Sequence, residues 1–418
     1  MNDHSLVSAT RGFQPDKNQQ KNILWQKRFG KGLPLIYTFH TDKERNLMMP
    51  TSTLTKPKIS ENSQVSPFLV FFLMTSMQFG VGILGYARYI THFAGYDAWI
   101  SILLSGVSTN IILYLIYKII ERGNKNDMIA IHKELFGKWL GGLLNLIVLS
   151  YFFSYVVTIL RSYIEIVQIW LFPQFPTWEL SLLILLLVYT FVVGGFRTVT
   201  GMCFLSLVYG GFLLLLVYFP LEYAHFSNLL PLFNHSVPSL LRASKQMLLS
   251  FLGFELIFIY YPFIKNPDQS KKWAHAALMY TTFIYVILAI VIFIYFSERQ
   301  LSHTIWSTLA MWKIVKLPII ERFEYFGLAI WLFVILPNIC LGVWTVTRGL
   351  KQQFSIRQII TLPFILTAIL IITCLFKNRI VIDKLNTAVS MTGTTFIYFY
   401  IPILFIYQWL FLKVKKND

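Results

Sequence analysis

Gly80, Gly82 and Gly85, the acid Glu255, and a polar row from Ser154 to Gln168 are the residues whose types and positions could do chemistry, because each interrupts a long apolar stretch. In lipid every backbone N–H and C=O must be satisfied internally, so glycines that invite unwinding survive only where the chain is buried or lines a cavity. Gly80-Val-Gly-Ile-Leu-Gly85 also matches the letters GxGxxG of a dinucleotide site. That motif needs a strand before it, a helix after it and an acid about 20 residues on. An apolar run precedes it here and Asp97 follows too soon, which leaves close helix packing or backbone exposed to a ligand.

Ser154, Thr158, Arg161, Glu165 and Gln168 are spaced 4, 3, 4 and 3, which places them on one helix face that cannot meet lipid. Arg161 and Glu165 stand i, i+4 and are expected to form a structural ion pair, since an unpaired charge in the bilayer is costly. Ser154 and Thr158, deeper in the run, are expected to line a polar cavity. Glu255 follows Gly253 and Phe254 and has no Lys or Arg nearer than Lys245 and Lys265. It could receive a ligand ammonium, carry a proton, accept N–H bonds from unwound backbone, or bond a neighbouring helix. Pro337 precedes Asn338, so a missing backbone bond and a polar side chain coincide; this reads as a kink first and a site second. The candidate ligand-binding set is Gly80, Gly82, Ile83, Gly85, Ser154, Thr158, Gly253, Phe254, Glu255 and Asn338.

Enzyme chemistry finds little support. The eight histidines are placed in tails, loops or run ends, and no HExxH, GxxxxGK[ST] or GxSxG motif occurs. Cys203, Cys340 and Cys374 lie in apolar runs without metal spacing and read as packing residues. Neither a cofactor nor a metal is expected.

The elements that must position these residues are ten apolar segments, each near the roughly 20 residues a helix needs to cross hydrocarbon. They run from Pro67 to Ile90, Ala98 to Ile120, Trp139 to Trp170, Leu180 to Phe196 and Met202 to Leu221, then Gln246 to Ile264, Ala274 to Phe296, Phe323 to Leu350, Ile359 to Phe376 and Ala388 to Leu412. The prediction is an all-α polytopic membrane protein of ten transmembrane helices. Five and five is the condition for an inverted repeat, because an odd half reverses the second half's orientation; helices 1 and 6 are then the broken ones. Composition agrees: 56% of residues are hydrophobic and 13% charged, against about a quarter charged in soluble domains. The net charge of +17 resides mainly in connections, which favours an anionic lipid surface over nucleic acid as partner. The connections holding Lys118, Arg122, Lys125, Lys133 and Lys138, and later Lys265, Lys271 and Lys272, are the richer side, so both termini are expected in the cytoplasm.

Residues 1–65 form a polar, basic tail, residues 66–412 the transmembrane domain, and residues 413–418 a second tail. Residues 1–47 admit two readings: a tail that touches the membrane surface, or a stretch ahead of a start at Met48 or Met49.

The broken run Gly80-Val-Gly-Ile-Leu, the stretch Ala94-Gly-Tyr-Asp-Ala-Trp-Ile100, the connection Lys265-Asn-Pro-Asp268 and the segment Glu321-Arg-Phe-Glu-Tyr325 resemble the B subunits of bacterial spore germinant receptors. That family belongs to the amino acid, polyamine and organocation transporter superfamily, and the resemblance covers roughly residues 64–412. It implies a nutrient pocket between runs 1, 3, 6 and 8, an amino acid or similar germinant, an A subunit and a lipoprotein C subunit as partners, and the spore inner membrane or cell membrane as location. A proton- or sodium-coupled amino acid permease is the alternative within the same fold. Residues 1–47 depart from the family's short N-termini.

Overall fold

In the computed structural model, residues 59–315, 318 and 321–417 are described. The reading of residues 1–47 lies outside them. Among the described residues the chain is helical, without strands; the one extended contact is an isolated bridge between Val65 and Ile264.

The first apolar run is three pieces: α1 (Leu69–Gln78), a 3₁₀ turn at Val81–Leu84 and α2 (Tyr86–Ala94). It then turns at Gly95 into α3 (Ala98–Arg122). Next come α4 (Met128–Trp170), kinked at Gly137, whose φ is +74°, then α5 (Thr177–Val193) and α6 (Phe196–Leu215). The sixth run is broken like the first, into α7 (Val237–Phe251) and α8 (Ile257–Tyr260), separated by Gly253 at φ 107°. After it follow α9 (Ser270–Tyr295), α10 (Phe323–Phe354), α11 (Gln358–Leu375), α12 (Arg379–Thr395), a π-helical turn at Phe396–Tyr400 and α13 (Ile401–Asn417).

By length and composition seven helices can cross a membrane, and the α7/α8 pair, bent by 49°, makes an eighth. Helices α1 and α5 are shorter apolar helices, so the expected count of ten is not fixed by these criteria. The last run also starts earlier than expected. Arg379, Asp383 and Asn386 belong to α12, whereas hydropathy alone begins the run at Ala388.

The broken helices sit against an apolar centre in which Leu73, Met74, Phe251 and Phe254 are wholly shielded. Small residues set the spacing: a Cβ at Gly342 of α10 would lie 2.3 Å from Val156 of α4, and one at Gly349 would lie 2.3 Å from Leu149. Close approach through such positions is how membrane helices gain dispersion contact where lipid supplies no hydrophobic drive. Asp97, between α2 and α3, accepts N–H bonds from Phe233, Asn234 and His235 and a ring N–H from His235 Nδ1 at 3.0 Å. It thereby pins the loop that leads into α7.

Candidate functional site

The site is built where α1 ends. Helix α1 stops because Gly80 is extended, and the backbone re-enters a helix only after Gly85. The freed carbonyls are stitched to neighbouring helices. Gln78 C=O accepts the Tyr285 hydroxyl at 2.9 Å, Ile83 C=O accepts Thr308 Oγ1 at 2.8 Å, and Gln78 Nε2 donates to Phe251 C=O at 2.9 Å. Tyr155 of α4 reaches both breaks, donating to Leu252 C=O at 3.1 Å and approaching Met77 C=O at 3.4 Å.

Against this break lies a cavity of about 390 Å³. One wall is Gly80, Val81, Gly82 and Gly85; α4 contributes Tyr155, Thr158 and Ser162; α7 contributes Lys245, Gln246, Leu249 and Ser250; α12 contributes Asp383, Asn386, Thr387, Ser390 and Thr394. The glycines are there for space. A Cβ at Gly82 would sit 2.7 Å from Ser250 Oγ, and one at Gly85 would sit 2.5 Å from Ile305 C=O.

An arginine organises one end of the cavity. Arg379 Nη1 donates to Glu165 Oε2 at 2.7 Å, its Nε and Nη2 bind Asp383 at 3.1 and 2.8 Å, and Nη2 also reaches the Tyr89 hydroxyl at 3.2 Å. The guanidinium lies 5.3 Å from the centre of the Trp306 ring. Two carboxylates and one planar cation so tie α2, α4 and α12 together. The ion pair expected within α4 is therefore corrected. Glu165 is claimed by Arg379, while Arg161 Nε donates to Phe376 C=O at 2.6 Å. Both arginines carry the same guanidinium fork, but α12 places that of Arg379 between Glu165 and Asp383, where it binds both carboxylates, whereas Arg161 is turned to the Phe376 carbonyl.

Of the other sequence candidates, Gly80, Gly82, Gly85 and Thr158 face the cavity. Ser154 does not: it is half-buried and donates back to Ser150 C=O. Ile83 turns to a separate apolar pocket beside Trp312 and Trp331. Gln168 closes the helix end on Phe175 C=O and Thr177 Oγ1. Glu255 is wholly buried away from the cavity wall, accepting Tyr151 OH at 2.7 Å and Gly253 N–H at 2.8 Å. Of the roles open to it, these bonds perform two: the Gly253 N–H is unwound backbone, and the Tyr151 hydroxyl belongs to the neighbouring α4. Gly253 and Phe254 belong to that sealed break. Asn338 of α10 accepts from Ser76 Oγ at 3.1 Å and backs Gly80 from behind, its Nδ2 lying 3.2 Å from where a Gly80 Cβ would be.

Sequence reasoning missed α12. Its cavity positions 383, 386, 387, 390 and 394 carry a helical period of polar residues, a readable signal hidden by starting the run at Ala388. The sequence reading also puts every histidine in a tail, a loop or a run end; His132 does stand near the start of α4, yet it is wholly shielded. His132 bonds Asn145 and Tyr400.

Residues 64–381 match the family described as spore germination protein. GerQB of Bacillus cereus, a spore germination protein, is 43% identical over 353 residues, spanning 84% of this chain and 98% of its own. YndE of Bacillus subtilis is 25% identical over 82% of this chain and 96% of its own length. Among solved structures, MhsT in complex with L-phenylalanine superposes with a TM-score of 0.58 at 14% identity, covering 83% of this chain and 99% of that one. A substrate-bound, outward-open Na⁺-coupled sialic acid symporter gives 0.57 at 12%, covering 81% and 79%. Both are transporters of the LeuT fold, and at such identity the likeness speaks to fold alone.

Proposed function

Because this chain belongs to the spore germination protein family, we propose that it is the membrane subunit of a nutrient receptor, taking a small germinant, an amino acid, into the cavity beside the first break. Occupancy is then read by an A subunit and a lipoprotein C subunit to start germination. The observation that carries this reading is the cavity of about 390 Å³ walled by Gly80, Gly82 and Gly85 on one side and the polar face of α12 on the other. A site with an apolar floor and a few convergent polar groups is the usual form of a small-molecule pocket. Thr158, Ser162, Asn386 and Ser390 offer hydroxyl and amide groups, while Lys245 and Asp383 offer charge of both signs. A ligand shifts a two-state protein only through its differential affinity for the states. This cavity is walled by the first break, α4, α7 and α12, so closing them around a ligand changes their mutual packing.

The second reading is a sodium- or proton-coupled permease, favoured by the fold shared with a symporter whose coupling to Na⁺ is stated. Purified protein in lipid vesicles, given radiolabelled L-amino acids with and without an imposed sodium or proton gradient, separates the two. The receptor reading expects saturable binding and no accumulation above the passive level. Gradient-driven accumulation overturns it in favour of the permease, and binding of none of the amino acids overturns the amino acid assignment.

A further inference from the structure

We infer that His132 and Tyr400 are positioning residues for the cavity, acting from the far end of α4 through the π-helical turn at Phe396–Tyr400. The inference takes the cavity as the ligand site, as proposed above, and adds the device that sets its α12 wall.

Helix α12 carries Asp383, Asn386, Thr387, Ser390 and Thr394 into the cavity, and the π turn follows directly. The turn is marked by the bond from Ile401 N–H to Phe396 C=O, five residues back. A π turn is an α-helix with one residue too many, found mostly as single turns and often at functional sites. Its alternative is defined: dropping the extra residue back into α geometry rotates one flank against the other by roughly 100° and moves it about 1.5 Å. Something must hold the wider turn.

Two sets of contacts do so. On the cavity side, the Phe396 ring packs 5.6 Å from Tyr151, whose hydroxyl binds Glu255 at the second break. A Cβ at Gly393 would meet Leu252 at 2.7 Å and Tyr151 OH at 2.8 Å, so α12 is pressed onto that break. On the far side, Tyr400 OH lies 2.7 Å from His132 Nε2, and His132 Nδ1 lies 2.7 Å from Asn145 Oδ1. The Asn145 amide is oriented by donating to Ile129 C=O and to Gln353 Oε1. Its oxygen therefore faces His132, which must donate from Nδ1 and accept the Tyr400 hydroxyl at Nε2. The imidazole is wholly buried and both its nitrogens are used, so Tyr400 has one definite anchor. Asn145 stands about 20 Å along α4 from Thr158 at a rise of ~1.5 Å per residue. The far end of the molecule thus fixes the register of a cavity wall.

The test needs no ligand. In a full-length chain lacking Cys203, Cys340 and Cys374, a cysteine is placed at cavity residue Ser390 and its reaction rate with a water-soluble methanethiosulfonate is measured in vesicles. Tyr400→Phe and His132→Leu are expected to change that rate at least about threefold, whereas His132→Gln, whose amide can both donate to Asn145 and accept from Tyr400, should keep it near the starting value. Lys125→Ala, which breaks a surface pair with Asp268 elsewhere, serves as control and should leave the rate unchanged. Unchanged rates in both Tyr400→Phe and His132→Leu overturn the inference. So does a His132→Gln rate that shifts as far as His132→Leu, because that outcome makes the imidazole a packing residue only. The nutrient reading is judged separately by ligand binding.

Discussion

The two broken helices differ in what their breaks face. At α1/α2 the glycines border a cavity, and side chains of α4, α7 and α12 converge across open space. At α7/α8 the gap is filled from within: Glu255 takes the Gly253 N–H and the Tyr151 hydroxyl, and Met77 lies 2.7 Å from where a Gly253 Cβ would stand. Unwinding a membrane helix frees backbone groups that must find partners. One break leaves room beside it for a ligand, and the other supplies its own carboxylate. A glycine-rich interruption therefore identifies a break without saying whether it is a site.

The largest effect is expected at the sealed break. Glu255→Ala strands a hydroxyl and an N–H in a buried position, each costing about 1–3 kcal/mol. Membrane abundance and the thermal unfolding midpoint in detergent should both fall sharply, and added nutrient should not restore them. A variant that melts like wild type and merely needs more nutrient would make the second break a ligand site as well, and the contrast would collapse. Gly253→Ala should go the same way, because φ 107° is strained for any side chain.

Gly82→Leu probes the open break. The leucine would fill cavity volume against Ser250, so spores carrying it should lose nutrient response at all doses while the protein still reaches the membrane. A normal response would move the site away from α1.

A finer comparison lies within α4. Thr158→Val removes one cavity hydroxyl, and at about 0.5–1.5 kcal/mol for a hydrogen bond the effective nutrient concentration should rise roughly 2- to 10-fold. Ser154→Ala, which loses only a bond to its own helix, should leave the dose curve in place. Equal shifts would mean that α4 is rotated relative to the arrangement described.

Topology has the smallest effect on activity and decides from which side the open break is reached. Single cysteines at Ser236 and His303 should react with an impermeant maleimide in intact cells, and one at Lys125 should not. Protection of the first two with labelling of the third would reverse the orientation.

Several features were legible in the chain itself. The periodic polar face of α4, the glycines of the first break and the isolation of Glu255 in an apolar run are one-dimensional facts with local causes, and so are the helices that carry them. The family likeness was legible too, because it rests on short stretches such as Asp97-Ala-Trp99. The partners were not. Arg161 is four residues from Glu165, yet the carboxylate goes to Arg379, 214 positions away, because α12 packs across α4 and offers a fork that also holds Asp383. His132 looks like a loop residue until α4 bends at Gly137 and folds it onto Asn145 and Tyr400. Sequence determined which helices break and which residues are polar, since hydropathy and backbone freedom act within a few residues of their cause. Tertiary structure decided which break stayed open, since that depends on side chains from distant helices meeting, or failing to meet, in the same volume.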